Sequence, residues 1–192
     1  MEKIIVFDFD KTLTNYDTTL PFFLFCCKKN PFRTFFLPLY LLSKLLSKIK
    51  LISVKKEKEI GVIFFCPSHI NEFKKRCLEF AKTIRFNSIY LTDLINTINS
   101  NEKVIIASAS FQYYLEALFP NLIVIGTTLE TNNVGKIIGI KQHPFKQEKA
   151  NLVKAKSMSI HTFYTDSKND QPTSNLAQKT IWIRNGHKVS IK

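Results

Sequence analysis

The chain has 192 residues, of which 45% are hydrophobic, and its 28 lysines and arginines outnumber its 15 aspartates and glutamates by 13. This composition excludes a largely disordered chain and predicts one domain with a full core, with room for a smaller insert. The positive charge predicts an anionic partner, such as nucleic acid, an anionic lipid or a phosphorylated substrate, without choosing among them.

The start of the chain and its cysteines predict the compartment. The first residues lead directly into the apolar run Ile4–Phe7, without the layout of a cleaved signal peptide. The cysteines have no metal-ligand spacing, and we expect all four to be reduced: Cys26, Cys27, Cys66 and Cys77. No run approaches the roughly 18 to 20 apolar residues of a membrane span. We therefore expect a cytoplasmic protein, with peripheral attachment to the cytoplasmic face of a membrane left open.

Five short runs rich in β-branched and aromatic residues are typical of buried strands. They are Ile4–Phe7, Val104–Ala107, Leu122–Ile125, Thr162–Tyr164 and Ile181–Ile183. Helical spacing between these runs predicts helices at Phe111–Phe119 and Lys149–Ala155, so that strands and helices alternate. The pattern between Leu129 and Ile140 predicts a small hairpin. We predict an α/β fold, a Rossmann-like parallel sheet flanked by helices, with its ligand site at the carboxyl ends of the strands.

The segment after the first strand has a different composition, dense in phenylalanine, leucine and lysine and mostly helical in pattern. We interpret residues 17–87 as a helical cap inserted after the first strand, and residues 1–16 and 88–192 as the core. Apolar residues at positions 41, 42, 45, 46, 49 and 52 follow helical spacing, with serines and lysines on the other side. Such a basic amphipathic helix is typical of one that lies on an anionic membrane, but an ordinary cap helix gives the same pattern.

The first candidate chemical motif is Asp8-Phe9-Asp10-Lys11-Thr12, directly after the first strand. With one residue between them, the two carboxylates leave the strand end in different directions. One can therefore attack phosphorus while the other handles the proton of the leaving group. A solvated acidic turn or a helix cap would use the same residues.

Three later segments carry polar residues beside predicted strands. Ser108 follows the second strand, where its hydroxyl and the amides of a following helix can hold a phosphoryl oxygen, although serine is also a common helix cap. Lys149 is one lysine in a basic chain, so its case depends on its position. Asp166 and Asp170 follow the fourth strand and suit Mg²⁺, although a turn rich in aspartate is an alternative. Their occurrence together, in this order, favours a phosphoryl-transfer site.

This order of motifs resembles the four-motif signature of haloacid dehalogenase superfamily phosphatases of subfamily I. The early cap is similar to that of the phosphoserine phosphatases, and the run Tyr164–Pro172 with the apolar, basic cap resembles phosphatidylglycerophosphatase C. The resemblance implies that Asp8 is the nucleophile, that Asp10 is the acid and then the base, and that Ser108 and Lys149 hold phosphoryl oxygens. It implies Mg²⁺ ligands from Asp8, the main-chain carbonyl of Asp10, Asp166 and Asp170.

Two further residues are candidates for contact with the substrate or the cap, and two others depart from the pattern of the superfamily. Asp17 stands where phosphoserine phosphatases carry an acidic residue for the ammonium of the substrate, although an aspartate that caps a helix is an alternative. Thr12 is a second candidate for contact with the substrate or the cap. Lys11 and Thr165 stand where many members have glycine, which leaves the local geometry and the substrate open.

These observations predict a Mg²⁺-dependent phosphatase that acts through an aspartyl-phosphate, with a membrane lipid phosphate such as phosphatidylglycerol phosphate as substrate and an anionic membrane as partner. The enzymatic alternative is a phosphatase for a small soluble ester such as phosphoserine. A basic membrane- or nucleic-acid-binding module without catalysis would also explain the charge. Because no nucleic-acid-binding motif is recognisable, we expect no nucleic acid partner. The oligomeric state stays open.

Overall fold

The computed structural model describes residues 3–156 and 159–191. A seven-stranded sheet has the order β4-β3-β2-β1-β5-β6-β7. The central five strands are parallel, and β4 and β7 pair antiparallel at the two edges. This sheet, flanked by helices, confirms the predicted α/β fold. The strands are β1 Ile4–Phe7, β2 Lys103–Phe111, β3 Ile123–Thr131, β4 Ile137–Gln142, β5 Ile160–Thr165, β6 Ala177–Arg184 and β7 His187–Ile191.

Between β1 and β2 the chain forms four helices and then a short fifth, and three more helices follow β2. The first four are α1 Thr19–Cys27, α2 Leu37–Lys48, α3 Val54–Phe65 and α4 Ile70–Ala81, with a 3₁₀ helix at Pro31–Phe36 before α2. A π-helical turn at Tyr90–Leu94 leads into α5 Ile95–Asn99. The rest are α6 Gln112–Leu118, α7 Gln147–Lys156, a 3₁₀ turn at Lys168–Asp170, and α8 Gln171–Ser174.

The five predicted strands all form, most of them longer than predicted, and β3 and β4 form the predicted hairpin. Strand β7 carries no sequence signal for burial, because all five of its residues are exposed at the edge of the sheet. The four cysteines are free and buried.

Aromatic rings join the helices of the inserted segment to the sheet. Phe22 of α1 lies with its ring centroid 5.3 Å from that of Phe111 in β2 and 5.5 Å from that of Tyr114 in α6. Phe73 of α4 packs against Phe111 in the same cluster, at 5.2 Å. The dense phenylalanines of the segment therefore build one apolar core shared with the sheet, which holds α1 to α4 over the carboxyl ends of the strands. The domain boundaries at residues 16/17 and 87/88 stay a prediction.

Helix α2 exposes four of its six leucines: Leu39, Leu41, Leu42 and Leu45. Its buried side chains are Tyr40, whose hydroxyl donates to Glu57 at 2.8 Å, and Ser43. The apolar residues that face solvent continue from the 3₁₀ helix into α2 at helical spacing, and we call them the apolar stripe: Phe32, Phe35, Leu39, Leu42, Leu45 and Ile49. Among the described residues, no helix is long and apolar enough to cross a bilayer.

Candidate active site

A pocket of about 230 Å³ opens at the carboxyl ends of the central strands. Six predicted site residues line it together, as does Asp17. The six come from four parts of the chain: Asp8 and Asp10 after β1, Ser108 in β2, Lys149 in α7, and Asp166 and Asp170 after β5. Parallel strands present their carboxyl ends at one edge of a sheet, which brings these distant residues into one site.

At the base of the pocket, a buried lysine lies between two buried carboxylates. The Lys149 Nζ atom is 2.9 Å from Asp8 Oδ1 and 2.8 Å from Asp170 Oδ1. The three residues are 3 to 5% exposed. The main-chain N–H of Asp8 donates to the carbonyl of Tyr164 at 2.9 Å, which fixes this carboxylate between β1 and β5. Removing one partner of an ion pair this deep would leave a buried charge uncompensated.

Burial and the charges of neighbouring residues together set the pKa values of this network. Burial raises the pKa of Asp8 to about 8, against the attraction of Lys149, and the carboxylates of Asp170 and Asp166 raise it further. Burial disfavours the charge of Lys149, but the carboxylates of Asp8 and Asp170 outweigh that cost and raise the pKa of the lysine. A second cation in the pocket would favour the ionised form of Asp8.

Asp10 is held by three hydrogen bonds that sequence analysis did not identify. Its Oδ1 accepts from the main-chain N–H of Thr18 at 2.8 Å and from the Thr18 hydroxyl at 2.7 Å, and its Oδ2 accepts from the hydroxyl of Ser110. Burial raises the pKa of Asp10 to about 6, and the charge of Asp17 adds to this rise. A carboxyl group with a pKa near neutrality exchanges its proton readily under physiological conditions.

Ser108 lines the pocket, but its surroundings differ from the prediction. Strand β2 continues past it to Phe111, so α6 begins only at Gln112 and the expected amides of a helix N-terminus do not follow Ser108 directly. The N–H of Ser110 donates to Ser108 Oγ at 3.1 Å. A register shift between Ala107 and Phe111 distorts the strand here, which the apolar run Val104–Ala107 gave no reason to expect.

Lys11 and Thr165, which stand where many phosphatases of the resembled superfamily have glycine, both lie at the site. Lys11 has a φ of 58°, in the left-handed region where glycine is free of strain, so its side chain costs about 1 kcal/mol. It lines the pocket nonetheless. The Thr165 hydroxyl donates to Asp170 Oδ2 at 2.8 Å and helps to fix this carboxylate beside Lys149.

The two candidates for substrate contact behave differently. Asp17 is exposed in the lining of the pocket, and its Oδ1 accepts from the N–H of Thr19, the first residue of α1, at 2.8 Å. Thr12 does not line the pocket: its side chain is fully buried, and Asn87 Nδ2 donates to its carbonyl at 2.9 Å. The structure therefore places Asp17 at the site and Thr12 outside it.

Lys58 is a residue beside the pocket that sequence analysis missed. It reaches from α3 so that its Nζ donates to the carbonyl of Ala109 at 2.5 Å and lies 5.1 Å from the centre of the Phe111 ring. Burial lowers the pKa of Lys58, and the charges of Asp17 and Asp10 oppose this. One lysine among the many of the inserted segment has no distinguishing sequence signal.

The donor set of the pocket fits Mg²⁺. Within the described parts of the chain, no three His, Cys, Asp or Glu side chains form a ready metal cluster. Magnesium does not need one, because it usually takes one or two protein carboxylates and keeps several waters. Asp8, Asp166 and the carbonyl of Asp10 supply hard oxygen donors in one pocket, with the carboxylate of Asp170 beside them.

Solved structures with a similar fold are known. A structure from Bordetella pertussis Tohama I, described as a protein with unknown function, is similar at a TM-score of 0.77 and 15% identity, covering 95% of this chain and 90% of that chain. A phosphoserine phosphohydrolase-like protein from Francisella tularensis subsp. tularensis SCHU S4 gives 0.64 at 16% identity, covering 94% and 86%. A substrate-bound phosphoserine phosphatase gives 0.65 at 16%, covering 95% and 86%. At these identities the likeness shows the fold alone.

Sequence comparison is more specific. No curated protein matches this sequence. The family model described as haloacid dehalogenase-like hydrolase matches residues 5–174, a span that includes every predicted site residue. Because the match extends over most of the chain, this protein belongs to the haloacid dehalogenase-like hydrolase family.

Proposed function

We propose that the protein is a phosphatase that hydrolyses a phosphomonoester through an aspartyl-phosphate at Asp8. The observation that carries this proposal is the buried array in which Lys149 holds Asp8 and Asp170 in one pocket, with Asp10 beside them. Hydrolysis of a phosphomonoester needs an aligned nucleophile, a proton donor and positive charge near the phosphoryl group. The pocket supplies side chains for all three.

The proposed reaction has two steps. An oxygen of Asp8 attacks phosphorus, the bond from phosphorus to the ester oxygen breaks, and Asp10 gives its proton to the leaving oxygen. Asp10 then takes a proton from a water that attacks phosphorus, and the bond to Asp8 breaks to release phosphate. Lys149 and Ser108 hold the phosphoryl oxygens. Bound Mg²⁺ would offset the negative charge of the phosphoryl group.

The metal requirement gives a direct prediction. Replacing Asp166 with asparagine should raise the Mg²⁺ concentration for half-maximal activity by at least about tenfold, because it removes a negatively charged oxygen ligand. Titration of MgCl₂ into metal-stripped enzyme, with an aryl phosphate as substrate, measures this. A matched control is Asp93→Asn, since Asp93 does not line the pocket and instead pairs with Lys188. Full activity of the wild type in excess EDTA would contradict the metal proposal.

For the substrate, we propose a lipid phosphate at an anionic membrane surface. The apolar stripe supports this, because Phe32 and Phe35 are 88% and 84% exposed and its other members are about half-exposed. The membrane is a suitable occupant because lysines border the stripe and the whole chain carries an excess of 13 positive charges. Helix α2 carries part of the stripe, and its last turn lines a cavity that adjoins the catalytic pocket, so a lipid headgroup would lie near the site.

A small soluble phosphomonoester is the second candidate. Two observations favour it: the folds of phosphoserine phosphatases are similar, and Asp17 lies at the mouth of the pocket, where a carboxylate suits an ammonium group. On this alternative, the apolar stripe has no part in catalysis.

Vesicle binding separates the two candidates. The double substitution Phe32→Ser/Phe35→Ser should weaken binding to anionic vesicles by about tenfold to a hundredfold, because each ring loses burial below the headgroups. Sedimentation with anionic and neutral vesicles at low ionic strength measures this. The control Leu91→Ser/Ile138→Ser changes two residues that are 65% and 60% exposed and lie outside the stripe.

Two results would oppose the lipid proposal. In one, the wild type fails to bind anionic vesicles. In the other, the phenylalanine double variant binds them as well as the control does. Either result would leave a small soluble ester as the leading candidate substrate. Neither result would bear on whether the protein hydrolyses an aryl phosphate.

A further inference from the structure

A second cavity of about 810 Å³ lies beside the catalytic pocket, and we call it the basic groove. The end of α2 and the start of α3 form one wall, and the loop from His143 to Lys146 forms the other. Phe145 and Asn169 line both the groove and the catalytic pocket. A molecule whose phosphate lies at Asp8 can therefore extend into the groove without leaving the protein surface.

The charges of the groove are strongly unbalanced. Five lysines line it: Lys44, Lys48, Lys50, Lys55 and Lys146. None of the five forms an ion pair with a carboxylate in the described parts of the chain. The two glutamates of the lining are engaged elsewhere, since Glu57 accepts from the Tyr40 hydroxyl and Glu148 accepts from the N–H of His143, each at 2.8 Å. Convergent unpaired cations attract a multiply charged anion.

His143, in the wall of the groove, has a buried ring nitrogen without a partner among the described residues. It lines the groove and is 3% exposed, yet its Nε2 has no hydrogen-bond partner among the described residues. The Thr127 hydroxyl donates to the carbonyl of Ala109, so the His143 Nδ1–H must donate to Thr127, at 3.0 Å. Burial and the nearby lysines lower the pKa of His143 to about 2, which keeps Nε2 an acceptor. A buried acceptor without a donor is costly unless a bound molecule or water completes it.

We infer that the basic groove binds a second phosphate group, carried by the leaving group of the substrate whose first phosphate occupies the catalytic pocket. This inference rests on the proposed function, since it names the substrate as a molecule with two phosphate or phosphodiester groups. A neutral or zwitterionic leaving group would leave the five lysines without a counter-charge.

The test uses linear alkanediol bisphosphates with three to eight carbons and alkyl monophosphates of the same lengths. Their affinities for the Asp8→Asn variant with Mg²⁺ are measured by titration calorimetry, because that variant should bind without turnover. At the best chain length, the bisphosphate should bind about tenfold more tightly than the matched monophosphate. The double substitution Lys55→Gln/Lys146→Gln should reduce this ratio to about two, the value expected from having two equivalent ends.

Lys154→Gln/Lys179→Gln is the matched control, because both residues are exposed and neither lines the groove. It should keep the tenfold ratio. A ratio of about two for the protein with the groove intact would overturn the inference. The inference would also be overturned if the bisphosphate bound more tightly than the monophosphate by the same factor at every chain length and in both lysine variants. Such a result would reflect only the overall positive charge of the protein.

If Asp8→Asn fails to fold, the bisphosphate and the matched monophosphate are compared instead by their kcat/KM values with the wild type. If the wild type hydrolysed neither class of ester, the proposed function would fail. The binding ratio would still decide whether the groove takes a second phosphate.

Discussion

Asp8→Asn is expected to reduce turnover of an aryl phosphate by at least about a thousandfold, as for other residues that act as nucleophiles. An amide is a poor nucleophile and a poorer ligand for Mg²⁺ than a carboxylate. The fold should persist, because asparagine has nearly the same shape and removes a charge that burial already disfavours, as the raised pKa of Asp8 indicates. Steady-state assays and thermal unfolding, measured on the same preparation, check both parts of this prediction.

The control for this change is Asp93→Asn, which neutralises an aspartate outside the pocket. It should keep activity within about twofold of the wild type, because Asp93 does not line the pocket and its carboxylate is engaged by Lys188 and the Tyr164 hydroxyl instead. An Asp8→Asn variant that is folded and retains more than a few per cent of the wild-type rate would rule out a covalent role for Asp8.

The second large effect is expected at Lys149, whose Nζ lies 2.9 Å from Asp8 and 2.8 Å from Asp170. Replacing this lysine with methionine leaves both carboxylates buried without their common partner. Breaking a buried pair in this way costs about 3 to 5 kcal/mol of the free energy of unfolding. Activity should be lost as well, because the positive charge beside the phosphoryl group is gone. Urea unfolding at neutral pH measures the loss of stability.

The matched change on the same helix is Lys154→Met, an exposed position where we expect a loss of no more than about 0.5 kcal/mol. Adding Asp8→Asn and Asp170→Asn to Lys149→Met removes the unpaired charges and should restore about half of the lost stability. If Lys149→Met were as stable as the control, the three residues would not be coupled in solution as they are in the structure.

The strands and the gathering of the site could be predicted from the sequence for a physical reason. Buried parallel strands need continuous apolar runs, and the residues directly after those runs must meet at one edge of the sheet. The positions of Asp8, Ser108 and Asp166 after such runs are therefore enough to predict that the three share a site. The distortion of β2 at Ser108 depends on pairing with β3, which local sequence does not determine.

The groups that hold Asp10 and the orientation of α2 could not be predicted in the same way. Thr18 and Ser110 are 92 residues apart and meet only through the packing of the inserted helices on the sheet. The helical spacing in α2 showed an apolar side but not which way it faces. Packing of Tyr40 against Phe23 and Phe65, at 5.4 and 5.5 Å between ring centroids, turns the leucines outward.

The central claim is that Asp8 becomes phosphorylated, and chemical trapping tests it most directly. In an Asp10→Asn variant with Mg²⁺, an aryl phosphate should still phosphorylate the enzyme, because its phenolate leaves without a proton, while the second step lacks its base. Borohydride reduces an aspartyl-phosphate to homoserine. Trypsin releases the peptide Ile4–Lys11, in which Asp8 is then the only carboxylate side chain. Mass spectrometry should find homoserine at position 8. An unmodified peptide after a measured burst of phenolate release would contradict the covalent mechanism.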